Sequence, residues 1–294
     1  MDKPTKPQNK FLPYIAAAGT ILFWSSAFPA VRYTLQYYSP EALMIMRFII
    51  ASVLLLSYCA VRRVPLPRLR DVPLFAASGV VGVFLYMWAF NTGAATVQSG
   101  ISSFIISSAP VFTLIMSIVF LKEKAGKAIW IGVLVSFAGI GVIAATTITD
   151  LQLNVGVLLL LAAAIFTSAF NIIQKRITHN YTPMQATAYS VAFGTLLMCI
   201  FVPAMLREIP TAPLSVNIVV VYLGVFPAAI AYFLWGYALA KAEKTIYVTS
   251  FAYLSPFLAS IMAFLWLGET IPPAAFVGGV VVIAGMVVTN AIRK

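Results

Sequence analysis

The stretch Pro110-Val111-Phe112, followed by Phe120-Leu121-Lys122-Glu123-Lys124 and then by Gly132 and Gly139, returns later in the chain as Pro256, Leu267-Gly268-Glu269-Thr270, Gly278 and Gly285. One offset of 146 residues aligns all of it, and the same offset pairs Tyr86 with Tyr232 and Met116 with Met262. Against a background of Val, Ile, Leu and Ala, the matched Pro, Glu and Gly positions carry the signal. The match extends to the start of each half, where Ser26-Ala27-Phe28 answers Ser168-Ala169-Phe170 and Ser39-Pro40 answers Thr182-Pro183, with spacing altered by a few residues as in loops. The chain is written as two copies of one plan.

Composition sets the solvent. Hydrophobic residues make up 62% of the 294 positions and charged residues 9%, too few charges to cover a soluble surface. The chain reads as an all-α integral membrane protein. At about 20 apolar residues per crossing, its length holds roughly ten spanning helices and no soluble domain. Helices are predicted near residues 12–31, 40–61, 72–91, 96–121, 128–145, 155–173, 183–206, 216–240, 245–267 and 272–292. The run after Lys3, Lys6 and Lys10 is too long and too polar for a cleaved leader and reads as a retained first helix. Cys59 and Cys199 both fall in apolar segments, as small hydrophobes rather than a disulfide pair.

Charge gives the topology. The net charge of +11 would suggest nucleic acid in a soluble chain, but here the cations sit between apolar runs. With the N-terminus inside, one side collects Lys3, Lys6, Lys10, Arg62, Arg63, Arg68, Arg70, Lys122, Lys124, Lys127, Lys175, Arg176, Lys241, Lys244, Arg293 and Lys294. The other side holds Arg32 and Arg207, and Arg47 lies inside the second helix. The positive-inside rule selects ten spans with both termini cytoplasmic. Five helices per copy is an odd number, so the second copy enters from the opposite face and the repeats are inverted. The predicted organisation is a cytoplasmic tail (1–11), a first repeat (12–145), a linker (146–154) and a second repeat (155–292). Inverted repeats point to alternating-access transport, although channels use them too.

The acids constrain the mechanism. Asp2, Glu41, Asp71, Glu123, Asp150, Glu208, Glu243 and Glu269 all lie in loops or near helix ends. A carboxylate at the bilayer centre costs about 3 kcal/mol and is kept only for function, so a buried proton relay is not expected. Glu123 and Glu269 stand at the rims, where two readings remain, a proton relay there or, as their repeat-equivalent places suggest, interfacial anchors or gate pairs. His179 reads as a solvated loop residue. No GxxxxGK[ST] or HExxH motif occurs, so ATP hydrolysis and metalloprotease chemistry are not expected, and no catalytic residue, metal or cofactor is assigned.

Binding candidates are aromatic and amide side chains. Tyr86 and Phe90 share one face of the third helix with Asn91 beside them, and the matching eighth helix carries Tyr232 and Trp235. Trp24, Ser25, Ser103 and Asn171 add polar and aromatic groups from the first, fourth and sixth helices. For Arg47 two readings stand, a structural cation snorkelling outward or a cavity group that meets a carboxylate. Pro110 and Pro256, each expected mid-helix, are candidate hinges or gates. The glycines of the fifth and tenth helices read as close packing.

Phe23-Trp24-Ser25-Ser26-Ala27-Phe28, Ser39-Pro40-Glu41-Ala42, Arg47-Phe48, Asn91, Pro110-Val111-Phe112 and Phe120-Leu121-Lys122-Glu123 closely resemble the EamA-type repeat of the drug/metabolite transporter superfamily. Pro256 and Leu267-Gly268-Glu269 resemble it again. The resemblance covers nearly the whole chain and implies two five-helix repeats around a central cavity, with export of small metabolites across the bacterial inner membrane. The chain looks most like the amino-acid exporters of that group, including those for aromatic amino acids. Lys122 departs from the usual Gly. The expectation is a facilitated amino-acid exporter working as a monomer, and the alternative is a proton-coupled antiporter of hydrophobic drugs or cations.

Overall fold

A computed structural model of the chain describes residues 11–97, 99–147, 155–267 and 273–291. Every regular element among them is helical. In chain order these are α1 (Leu12–Thr34), α2 (Pro40–Val61), α3 (Leu69–Thr96), α4 (Ser99–Ile106 continued by Ala109–Phe120), α5 (Lys127–Thr147), α6 (Val155–Ile177), α7 (Pro183–Thr211), α8 (Leu214–Lys241), α9 (Thr245–Trp266) and α10 (Pro273–Ala291). Eight helices are long and apolar enough to cross a membrane; α5 and α10 contribute shorter apolar stretches, Lys127–Gly139 and Val277–Thr289. Glu269, Gly268 and the tail through Lys10 lie outside the described residues.

Local chemistry explains the helix starts. Ser39 Oγ accepts the Ala42 N–H (3.2 Å) with Pro40 in the first turn. At the matching place Thr182 Oγ1 accepts the Gln185 N–H (3.2 Å), while Gln185 Oε1 accepts the Thr182 N–H (3.0 Å) ahead of Pro183. α3 and α8 each carry a π-helical segment, Val80–Leu85 and Gly224–Ile230.

Three boundaries differ from the sequence expectation. Thr96 ends α3 instead of beginning α4. The fourth helix is broken at Ser107–Ser108, so Pro110 sits in the first turn of a new segment, where a missing N–H leaves no bond unmade, and not in a continuous helix. Pro256 repeats this: it follows a tightened 3₁₀ stretch, Ser250–Leu254, and lies at the start of Ser255–Leu267. Finally α6 runs on to Ile177, which puts Lys175 and Arg176 in its last turn and not in a loop. Lys122, just past α4, has φ +55°, the left-handed conformation in which Gly carries no Cβ penalty.

The contacts between the two halves are reciprocal. Small residues let α5 and α10 touch backbone to backbone. A Cβ on Gly132 would lie 2.6 Å from the Gly285 carbonyl, and one on Gly139 would lie 2.8 Å from the Gly278 carbonyl. The numbers rise along one helix as they fall along the other, so the pair is antiparallel. Between those contacts Ser136 Oγ donates to the carbonyl of Val282, its own counterpart 146 residues on (3.2 Å). Ser52 and Thr195 hydroxyls meet at 2.7 Å where α2 crosses α7, and they stand 143 residues apart, as do Ser39 and Thr182. Tyr38 donates to Asn217 Oδ1, and Tyr181 donates to Asp71 Oδ2 (2.5 Å).

Candidate functional site

One cavity opens between the two halves. Its empty volume is about 680 Å³, the open mouth included. α1 contributes Trp24, Ala27 and Phe28, α2 contributes Arg47, and α3 contributes Tyr86, Met87 and Phe90. The break in α4 brings Ile106, Ser107, Ala109 and Pro110 to the wall; Thr167 and Asn171 come from α6, Trp235 from α8, and Thr249, Ala252 and Ser255 from α9. Ile106 and Ala109 face Ala252 and Ser255, their counterparts 146 residues on.

The aromatic wall is interlocked. Trp24 and Trp235 have ring centroids 5.0 Å apart, Tyr86 stacks on Phe90 at 5.9 Å, and Phe28 meets Phe90 edge-on at 5.6 Å. Trp235 Nε1 donates to Asn171 Oδ1 (2.8 Å), whose Nδ2 donates to Thr113 Oγ1 (3.3 Å), and Trp24 Nε1 donates to the Pro227 carbonyl (3.1 Å). These bonds fix the ring orientations, as buried indole N–H groups require a partner.

Arg47 is the charge in this wall. It is 2% exposed, and its Nε and Nη1 have no hydrogen-bond partner. The Tyr86 and Tyr232 phenols are its electrostatic neighbours. A guanidinium carries five N–H donors in a fork that matches a carboxylate, and leaving buried donors unmet is costly. Thr249 Oγ1 is also buried without a partner on the same wall.

Of the candidates from sequence, Trp24, Arg47, Tyr86, Phe90, Asn171, Trp235 and Pro110 gather around this cavity. The others sit behind it. Tyr232 packs against Trp24, Phe48 and Phe170 and donates to the Gly82 carbonyl (3.4 Å), bracing the wall. Asn91 Nδ2 donates to the Pro40 carbonyl (3.2 Å), tying α3 to the start of α2. Ser25 and Ser103 are buried away from the lining, and Pro256 lies next to the lining residue Ser255. Thr249 was missed, yet the register could have found it, since it is the counterpart of Ser103. His179 is exposed near Asn180, as a loop residue would be.

Comparison with known proteins follows the same outline. The chain matches the EamA-like transporter family over residues 11–145 and again over 154–291. A probable terminal-alkyne amino-acid exporter of Streptantibioticus cattleyicolor is 35% identical over 92% of this chain and 91% of its own length. The uncharacterized transporter YdfC of Bacillus subtilis is 32% identical over 90% of this chain and 87% of its own, and the uncharacterized inner membrane transporter YedA of Escherichia coli is 29% identical over 96% and 92%. A solved structure with 18% identity superimposes with a TM-score of 0.75 over 95% of this chain and 96% of its own, which speaks to the fold alone. The chain belongs to the EamA-like transporter family of the drug/metabolite transporter superfamily and is a multi-pass inner-membrane transporter of a small molecule.

Proposed function

We propose that this protein is a facilitated, alternating-access exporter of amino acids, with neutral and aromatic ones among its substrates. The observation that carries this reading is Arg47, a buried guanidinium with unpartnered donors in a wall otherwise made of aromatic and neutral groups. A substrate carboxylate satisfies those donors, and Trp24, Tyr86, Phe90 and Trp235 receive an apolar side chain. The Streptantibioticus relative, named a probable terminal-alkyne amino-acid exporter, supports the substrate class.

The architecture that serves it is ten spans in two inverted repeats, residues 12–145 and 155–292, with both termini cytoplasmic. The reciprocal contacts support it: equivalent residues Ser136 and Val282 meet on antiparallel helices, as a two-fold axis lying in the membrane plane requires. A single bundle encloses the cavity, so the monomer is the functional unit. A drug or cation antiporter is the disfavoured reading, because a buried cation repels such substrates.

Binding is measurable directly, since two tryptophans line the site. Titrating purified protein with phenylalanine should change the intrinsic fluorescence saturably, and Trp24→Phe with Trp235→Phe should remove most of that change. A response to hydrophobic cations but none to amino acids would overturn the reading.

A further inference from the structure

α1 and α6 each end in a basic residue placed seven positions before the Ser/Thr-Pro that starts the next helix: Arg32 before Ser39, and Lys175 before Thr182. The two now do different things. Lys175 Nζ reaches across to α8 and donates to the carbonyls of Leu239 (2.8 Å) and Ala242. Leu239 lies in the last turn of α8 and Ala242 is the residue just past its end; carbonyls at a helix C-terminus lack partners within the helix and attract a cation. Beside it Glu123 accepts the Thr245 N–H with both oxygens (3.0 and 3.0 Å) and the Thr245 hydroxyl (2.7 Å). The turn between α8 and α9 is thus held from both sides.

At the other end the matching turn is open. The counterparts of Leu239 and Ala242 are Gly93 and Thr96, in the last turn of α3. Arg32, Leu35 and Gln36 face Ala94, Ala95, Thr96 and Val97 across a crevice with an empty volume of about 520 Å³. Arg32 is exposed and makes no hydrogen bond or ion pair among the described residues. The Gly93 carbonyl is held by its own helix end, accepting from the Val97 N–H (3.0 Å) and Thr96 Oγ1 (3.2 Å).

We propose that Lys175 and Arg32 are paired positioning residues that clamp the α8–α9 and α3–α4 turns alternately. In this structure the Lys175 clamp is made at the cytoplasmic face and the Arg32 clamp is undone at the external face. In the opposite state Arg32 crosses its crevice to the carbonyl end of α3 and Lys175 releases Leu239 and Ala242. This rests on the inverted-repeat reading above, and it goes beyond the substrate site, since neither residue touches the cavity.

The test uses the full chain with Cys59→Ala and Cys199→Ala, and two reporters labelled by a membrane-impermeant maleimide: Ala95→Cys in right-side-out vesicles and Ala242→Cys in inside-out vesicles. Lys175→Met should raise labelling at position 242 and lower it at position 95, by about tenfold, the shift expected when a charge-assisted hydrogen bond is lost from one state alone. Arg32→Met should lower labelling at 242, and Lys175→Arg should keep the parental pattern. If neither variant changes labelling, or both move it in the same direction, the clamps are refuted. Should Lys175→Met fail to fold, Arg32→Met on its exposed site decides alone, and unchanged labelling at 242 refutes the proposal. Labelling needs no substrate. Opposite shifts without amino-acid binding would uphold the clamps and sink the substrate reading; binding without shifts would do the reverse.

Discussion

Replacing Arg47 by Met keeps an unbranched apolar stem and removes the charge. In the protein as it stands the guanidinium is 2% exposed and two of its nitrogens are unpartnered, so the charge is held at a loss. A charge-assisted hydrogen bond is worth about 1.5–3 kcal/mol; allowing ~3 kcal/mol for the two available donors together, Arg47→Met should raise the KM for phenylalanine by ~150-fold. The same change removes a charge whose place at mid-helix costs about 3 kcal/mol, so the variant should melt at a higher temperature than the parent. Weaker binding with greater stability is the combined signature of a residue kept for function. Proteoliposome transport gives the first quantity and thermal unfolding in detergent the second. The wild type should also prefer phenylalanine to its amide, and Arg47→Met should lose that preference. A KM within about threefold of wild type together with a lower melting temperature would refute the argument and make Arg47 a structural cation.

Further outcomes are expected elsewhere in the fold. Gly132→Ala should destabilise by about 1–3 kcal/mol in thermal melts, because its Cβ would lie 2.2 Å from Thr289 Oγ1, whereas Gly141→Ala, with nothing within 4 Å, should be neutral. Asn171→Leu should cost about 1–3 kcal/mol by leaving the Trp235 N–H unpaired, and Trp235→Phe in that background should recover part of the loss. Lys122→Gly should hold or raise the melting temperature by relieving a left-handed backbone worth about 1 kcal/mol. Burial, and after it Glu208, raises the Tyr38 phenol above its ordinary 10.0. The folded state therefore keeps a proton the unfolded state loses, and this contribution is constant below pH 10 and declines above it; Tyr38→Phe should flatten that alkaline fall in melting temperature.

The helical membrane class and the family were legible because they rest on composition and spacing. Proline, glycine and glutamate stand out in an apolar background, and a register of 146 residues survives without knowledge of any contact. The lining of the cavity was legible in outline for the same reason. Tyr86 and Phe90 at i,i+4 were bound to share a face, and their rings stack. What spacing could not give was the direction of a side chain. Arg47 stood equally well for snorkelling or for the cavity until the packing of α1, α3 and α6 around it was visible. Tyr232 shares the symmetry of Tyr86 but spends its hydroxyl on the Gly82 carbonyl, so the repeat predicts its place and not its exposure. Pro110 was read as a kink because a helix appears continuous in hydropathy; the break at Ser107–Ser108 comes from backbone geometry that apolar composition does not record. Lys175 was assigned to a loop by charge, although its ammonium turns back to cap another helix.

On the proposed function, a substrate carboxylate exchanges across the membrane through the Arg47 cavity without a proton relay. Counterflow tests it most directly: proteoliposomes preloaded with unlabelled phenylalanine, trace labelled phenylalanine outside, and no imposed pH gradient. Saturable uptake, competed by neutral amino acids and lowered ~150-fold at trace phenylalanine in Arg47→Met, is the predicted result. No counterflow of any amino acid, with uptake of hydrophobic cations only under a pH gradient, would contradict the account.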